Sequence, residues 1–239
     1  MAVETIPTEE HGHGHAEGVY HQFVQVDQQN ESYLVGMWTF LVTEVMFFGP
    51  LFFAYTLYRW QYQDSFYNIH HLLSWEWGGL NTMVLLVSSF FMAMGVHFAQ
   101  KKQIQKQLAC LGITFLCGAG FLVIKLVMEW PSKFQHHLYP GASFQWPPHE
   151  GYPADVLSHL HDVPRGAAEM FFSLYFGITG LHGIHVVVGM ASIATIIVMT
   201  VKKNLHMRSY IPTEMVGLYW HFVDLVWIFL YPLFYLMPK

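Results

Sequence analysis

Apolar runs long enough to cross a bilayer dominate the chain. Residues 77–100, 107–124 and 170–201 contain no Asp, Glu, Lys or Arg over 24, 18 and 32 positions. An α-helix needs about 20 largely apolar residues to traverse a hydrocarbon layer of about 30 Å. Two further stretches qualify with a single acid well inside each, Glu44 in the first and Asp224 in the last. The pattern predicts an all-α integral membrane bundle of five transmembrane helices, at about 33–58, 78–99, 107–130, 169–201 and 214–237. Strand spans would be shorter and would alternate polar with apolar positions, which these do not. Pro50 and Pro232 fall inside spans and are expected to kink them. Residues 1–32 read as a hydrophilic tail, and 131–168 as the longest connector, rich in Pro, His and aromatics and expected to pack over this chain or a partner.

Composition agrees and narrows the choice. Of 239 residues, 54% are hydrophobic, 17% aromatic and 11% charged, against about 25% charged in an average soluble domain. So much apolar residue excludes disorder, and two cysteines, Cys110 and Cys117, exclude a disulfide scaffold. A net charge of −5 with no basic stripe argues against nucleic acid. The basic residues are placed unevenly. Lys101, Lys102, Lys106, Lys202, Lys203 and Arg208, six of the eleven, lie in two short connectors on one side. Basic loops face the cytoplasm, so the N-terminus is expected inside and the C-terminus outside. No basic region precedes the first apolar run, so a cleaved signal is not expected.

Candidate chemistry is sparse. His11, His13 and His15, with His21 nearby, suggest a metal-binding tract; lacking cysteine and fixed geometry, a polar tail is the plainer reading. His182 and His185 share one helix face and suit haem or metal ligation in principle, but no histidine at matching depth faces them. Hydrogen bonding across helices is the plainer role, with Gly177, Gly180, Gly183 and Gly189 admitting close approach. Glu44 lies deep in the first span, where an ionised carboxylate is costly; a proton-linked or lipid-contacting group and a packing acid are both open. Lys125 and Glu129, four apart, are expected to form a structural ion pair. His221 and Asp224, three apart, are placed for a local hydrogen bond. There is no P-loop, nucleophile elbow or cysteine cluster, and an aromatic membrane chain without chemistry of its own suits a subunit of something larger.

Several strings resemble one family. Residues 220–231, WHFVDLVWIFLY, look like the C-terminal signature of subunit III of the haem–copper (cytochrome c) oxidases. TGLHGIHVVVG at 179–189 resembles the histidine motif of its penultimate helix, TEVMFFGPLFFAY at 43–55 its acidic helix, and LNTMVLLVSS at 80–89 the helix after that. Glu129-Trp130 stands where the family has an acid followed by an aromatic. The hydrophilic beginning is similar to the five-helix bacterial form rather than the seven-helix one. The resemblance implies a multi-pass subunit of the bacterial inner membrane that binds no redox centre or metal itself. Haem and copper would belong to subunits I and II, and phospholipid would be bound. The subunit would support proton uptake and durability of the catalytic subunit in a proton-pumping oxidase. Glu44 would be the family's intramembrane carboxylate, and His182, His185, His221 and Asp224 its helix-fixing polar positions. Loop 131–168 is expected to touch an additional subunit or an electron-donor complex. A paralogue serving a quinol oxidase or nitric oxide reductase, and a stand-alone b-type cytochrome or proton-coupled transporter, are the alternatives.

Overall fold

Each apolar run folds as a long helix. In a computed structural model, residues 23, 25–141, 143–148, 154–202 and 210–237 are described. Helix α1 spans Val26–Gln61, α2 Gln63–His70, α3 Trp75–Gln100 and α4 Ile104–Val123. A π-helical segment, Ile124–Glu129, continues α4 directly into α5, Trp130–Gln135. Helix α6 covers Ala154–Leu160, α7 Arg165–Val201 and α8 Ile211–Tyr235. Among the described residues five helical stretches, α1, α3, α4–α5, α7 and α8, are long and apolar enough to cross a membrane.

The differences from the sequence pattern lie at the ends. Helix α1 starts at Val26 and runs to Gln61, because Asp27, Gln28 and Glu31 are compatible with a water-exposed helical turn although they fall outside an apolar window. The third span reaches Gln135, since Pro131 stands at the start of α5, where its missing N–H costs little. Pro50 and Pro232 are both carried inside continuous helices. The connector before α3 holds the short helix α2, whose Phe66 and Ile69 are fully buried. The long connector packs onto its own chain: Leu138, Phe144, Leu160 and Val163 join the core. The histidines at 11, 13, 15 and 21 lie outside the described residues.

Helices α3 and α8 run antiparallel in a steady register. Gly78 meets Tyr231, Thr82 meets Trp227, Ser88 meets Trp220, Ser89 meets His221 and Gly217 meets Val96. Close approach is made by glycine against side chains, chiefly aromatic rings, rather than glycine against backbone. A Cβ on Gly118 would fall 2.7 Å from the Trp220 ring, and one on Gly189 2.8 Å from it, so α4 and α7 clamp that indole from two sides. The expected tight packing at Gly177 and Gly183 is absent, since nothing lies within 4 Å of either. Gly177 is exposed and Gly183 half-buried among the described residues. Helix α1 is held by α7, α8 and α2 along part of its length, and it leaves Val35, Trp38, Met46 and Phe53 exposed.

Candidate functional site

Two pairs of ionisable side chains and one polar seam carry the chemistry of the bundle. The first pair joins α1 to α7. Glu44 Oε2 lies 2.9 Å from His185 Nε2, with the side chains 17% and 16% exposed. The other ring nitrogen, Nδ1, lies 2.7 Å from the Leu181 carbonyl, one turn back on α7. A carbonyl only accepts, so Nδ1 carries a hydrogen. The Glu44–His185 contact therefore holds one proton, either on Nε2 or on the carboxyl. Both arrangements are neutral overall, which lets the pair stand within an apolar layer. The Phe48 ring packs edge-on against the imidazole at 5.0 Å, and the Tyr219 hydroxyl donates to the His185 carbonyl at 3.2 Å.

The second pair lies toward the opposite end of the spans from the lysine-rich connectors. Lys125 Nζ is 2.6 Å from Glu129 Oε2, and both residues are almost wholly buried. Two tyrosines from other helices close the site. Tyr175 on α7 donates to Glu129 Oε1 at 2.6 Å, Tyr235 on α8 donates to the same oxygen, and Lys125 donates to the Tyr235 hydroxyl at 2.7 Å. The ammonium also stands 4.7 Å from the centre of the Trp227 ring, a favourable place for a desolvated cation. The π-helical turn carries both members of the pair, and such turns recur where a helix positions functional or strained groups.

Between the pairs runs the α3–α4–α7–α8 seam. Ser89 and His221 Nδ1 are 2.6 Å apart. Trp220 and Trp227 donate from their indole nitrogens to Ser88 and Thr82, each at 3.1 Å. Near the lysine-rich end Gln107 donates to Thr213 at 3.1 Å. His182 is fully buried between Phe121 and Trp227, its ring centroid 5.5 and 5.2 Å from theirs. Neither of its nitrogens has a hydrogen-bond partner among the described residues, and the same holds for the amide of Asn81 and the carboxyl of Asp224.

The structure therefore joins Lys125 to Glu129, and Glu44 to His185, while His182 makes no interhelical hydrogen bond. The local His221–Asp224 hydrogen bond is not formed: His221 turns to Ser89 on α3, whose register places a hydroxyl opposite it. Among the described residues no group of three or more His, Cys, Asp or Glu is placed to hold a metal ion. Tyr175 and Tyr235 were not singled out from the sequence. Tyr175, Thr179, His182, Val186 and Gly189 step by four and three residues and mark one buried face of α7, a signal that places Tyr175 in the core although it does not name its partner.

Comparison with known proteins gives a consistent result. Residues 165–238, which hold α7 and α8, match the family model described as cytochrome c oxidase subunit III. Over 209 residues the chain is 25% identical to cytochrome c oxidase subunit 3 of Bacillus sp. (strain PS3), covering 87% of each chain. It is 26% identical to quinol oxidase subunit 3 of Bacillus subtilis (strain 168), covering 85% of this chain and 86% of that one. Cytochrome bo(3) ubiquinol oxidase subunit 3 of Pseudomonas putida is 27% identical over 85% of both.

Proposed function

Because the chain belongs to the subunit III family of the haem–copper oxidases, we propose that it acts as subunit III of a proton-pumping terminal oxidase that reduces oxygen to water in aerobic respiration. The observation that carries this reading is the match over 85–87% of this chain and 86–87% of its relatives. The relatives include both cytochrome c and quinol oxidases, so either electron donor is compatible, and a copper site in the accompanying subunit II would select cytochrome c. In this reading the chain itself is non-catalytic and multi-pass in the bacterial inner membrane. Its lysine-rich connectors face the cytoplasm, and haem and copper belong to subunits I and II.

Within that complex, Glu44 and His185 supply a proton-linked group at the bundle's surface. A groove of about 240 Å³ opens nearby, lined by Met37, Phe40, Val188, Ser192, Met215, Val216 and Tyr219. Its apolar lining, with the Tyr219 hydroxyl near Glu44, suits the acyl chain of a bound phospholipid. The connector 131–168 would contact a further subunit or the donor complex with the side not packed on its own chain.

An affinity tag on this chain tests the proposal. The expected result is co-purification of haem-bearing subunit I and of subunit II with oxygen-reducing activity. A haem absorption band from the chain purified alone, or its recovery without any haem-bearing subunit, would overturn the reading.

A further inference from the structure

A second cavity, of about 420 Å³, lies at the end of the spans away from the lysine-rich connectors. Other elements build it than those around Glu44: its walls are the turn between α2 and α3, the first turn of α3, and α5. The volume falls within the range of about 300–1,000 Å³ in which proteins hold small ligands. Six polar side chains line it, His71, Ser74, Glu76, Ser132, Lys133 and His136.

Two opposite charges meet this space from different helices. Lys133 on α5 is 2% exposed, and its ammonium donates to the carbonyl of Leu72, itself a wall residue. That bond ties a positive charge to the cavity. Glu76, in the first turn of α3, is exposed and brings a negative one. Ser132 already donates to the Glu129 carbonyl at 3.1 Å, so its oxygen offers a ligand an acceptor. Ser74 does not cap α3 with its side chain, which leaves its hydroxyl for another partner. A cation and an acid in one cavity suit a zwitterion. The acid repels a simple anion, and the ammonium repels a simple cation.

The surroundings say which kind of zwitterion. Trp75 and Trp77, 61% and 39% exposed, belong to the same walls, and tryptophan gathers where a bilayer meets water. After Glu76, the exposed residues Leu80, Met83, Val87 and Phe90 follow along α3 at steps of four and three. Such steps keep them on one helix face, running from the cavity toward the middle of the span. A polar cavity continued by an apolar stripe is shaped for an amphiphile. We propose that this cavity is a headgroup site for a phospholipid carrying a primary ammonium, separate from the groove beside Glu44. The phosphate lies toward Lys133, the ammonium toward Glu76 and the Ser132 oxygen, and an acyl chain follows Leu80 to Phe90. The site does not depend on which complex the chain serves.

Photo-crosslinking of the intact complex, isolated through a tag on this chain and depleted of lipid, tests the site. The probe is phosphatidylethanolamine with a diazirine beside its headgroup, presented in uncharged detergent micelles. Labels are expected within residues 71–77 and 132–136. Unlabelled phosphatidylethanolamine should suppress them about tenfold more effectively than phosphatidylglycerol, which has no ammonium to bond to an acid. Glu76→Gln should abolish that preference, Glu44→Gln should keep it, and Lys133→Met should weaken both lipids. Labels only elsewhere, equal competition by the two lipids, or a preference that survives Glu76→Gln would each overturn the proposal. So would undiminished labelling in an assembled Lys133→Met complex. Suppression by phosphoethanolamine or inorganic phosphate at the concentration of the lipid would show a site for soluble phosphates and overturn the lipid. Should Lys133→Met fail to assemble, the exposed Glu76 still decides through its own variant.

Discussion

The two ionisable pairs of this bundle are built from similar groups and placed oppositely. Lys125–Glu129 is sealed by Tyr175, Tyr235 and Trp227, with both charges almost wholly buried. Glu44–His185 bridges α1 and α7 at the bundle's edge, each side chain about one-sixth exposed, beside an open groove. The inner pair is held by Tyr175 and Tyr235 from two further helices as well as by its own ion contact, so moving a proton there breaks several contacts together. The outer pair makes one contact between two helices and leaves both side chains partly open to the surroundings. Burial thus separates a pair locked among three helical stretches from a pair left at the bundle's edge.

Breaking the inner pair is expected to have the largest effect. Lys125→Met leaves Glu129 as a buried carboxylate without its cation, and such half-removals cost about 3–5 kcal/mol. The purified complex should lose this subunit or melt well below the native one. Lys125→Met combined with Glu129→Gln should recover much of the loss, because an apolar and a neutral group replace two charges. A double variant as unstable as the single one would show that the pair contributes more than mutual neutralisation.

Next in size is the clamp of α4 and α7 on the Trp220 indole. Gly118→Ala and Gly189→Ala each drive a methyl group into the Trp220 ring, and overpacking of this kind costs about 1–3 kcal/mol. Thermal unfolding should show it, with Trp220→Phe restoring part of the loss in the Gly118→Ala chain. If Gly177→Ala proved as damaging as Gly189→Ala, the packing described for α7 would be wrong, since Gly177 has open space around it.

The sequence made the five spans legible because charge exclusion from hydrocarbon is a strong, local rule: each run of 18 or more uncharged residues became a helix. The Lys125–Glu129 pair was legible for the same reason, since four residues along a helix fix a distance. What could not be read was everything set by the packing of one helix on another. Tyr175 and Tyr235 reach Glu129 across 46 and 106 residues of chain, and Ser89 takes the hydrogen bond that spacing alone offered to Asp224. Glycine was legible as a sign of close approach, but which glycines are used depends on where Trp220 and Tyr231 fall in the register. Helix α2 was hidden because its eight residues mix polar and apolar positions without a long run.

For the outer pair a small structural effect and a functional one are expected. Glu44→Gln can still donate a hydrogen bond from its amide to His185 Nε2, and interhelical hydrogen bonds in membranes average about 0.6 kcal/mol. Assembly should therefore be nearly unchanged, while turnover, proton stoichiometry or the rate of inactivation shifts. Identical values for all three in variant and native complex would make Glu44 a packing residue, and the contrast between the two pairs would reduce to burial alone.

His70 provides the mildest test, in a buried ionisable group with neither a counter-charge nor a membrane around it. It closes α2, with its Nδ1–H donating to the Tyr67 carbonyl and its ring 4.0 Å from that of His71. Burial holds its pKa below the ordinary 6.5, the Tyr67 bond opposes this, and the charges of His71 and Arg59 add to the lowering. The folded chain therefore binds fewer protons here than the unfolded chain. The resulting stability is fully present above about pH 6.5 and is lost as the pH falls below it. Hydrogen exchange should speed up in Gln63–His70 on acidification, while the amides around Lys125 and Glu129 remain protected. His70→Gln should flatten that response without disturbing either pair. If acid loosened α2 equally in the variant, the sensitivity would belong to another group of the connector, and His70 would be no more than a packed ring.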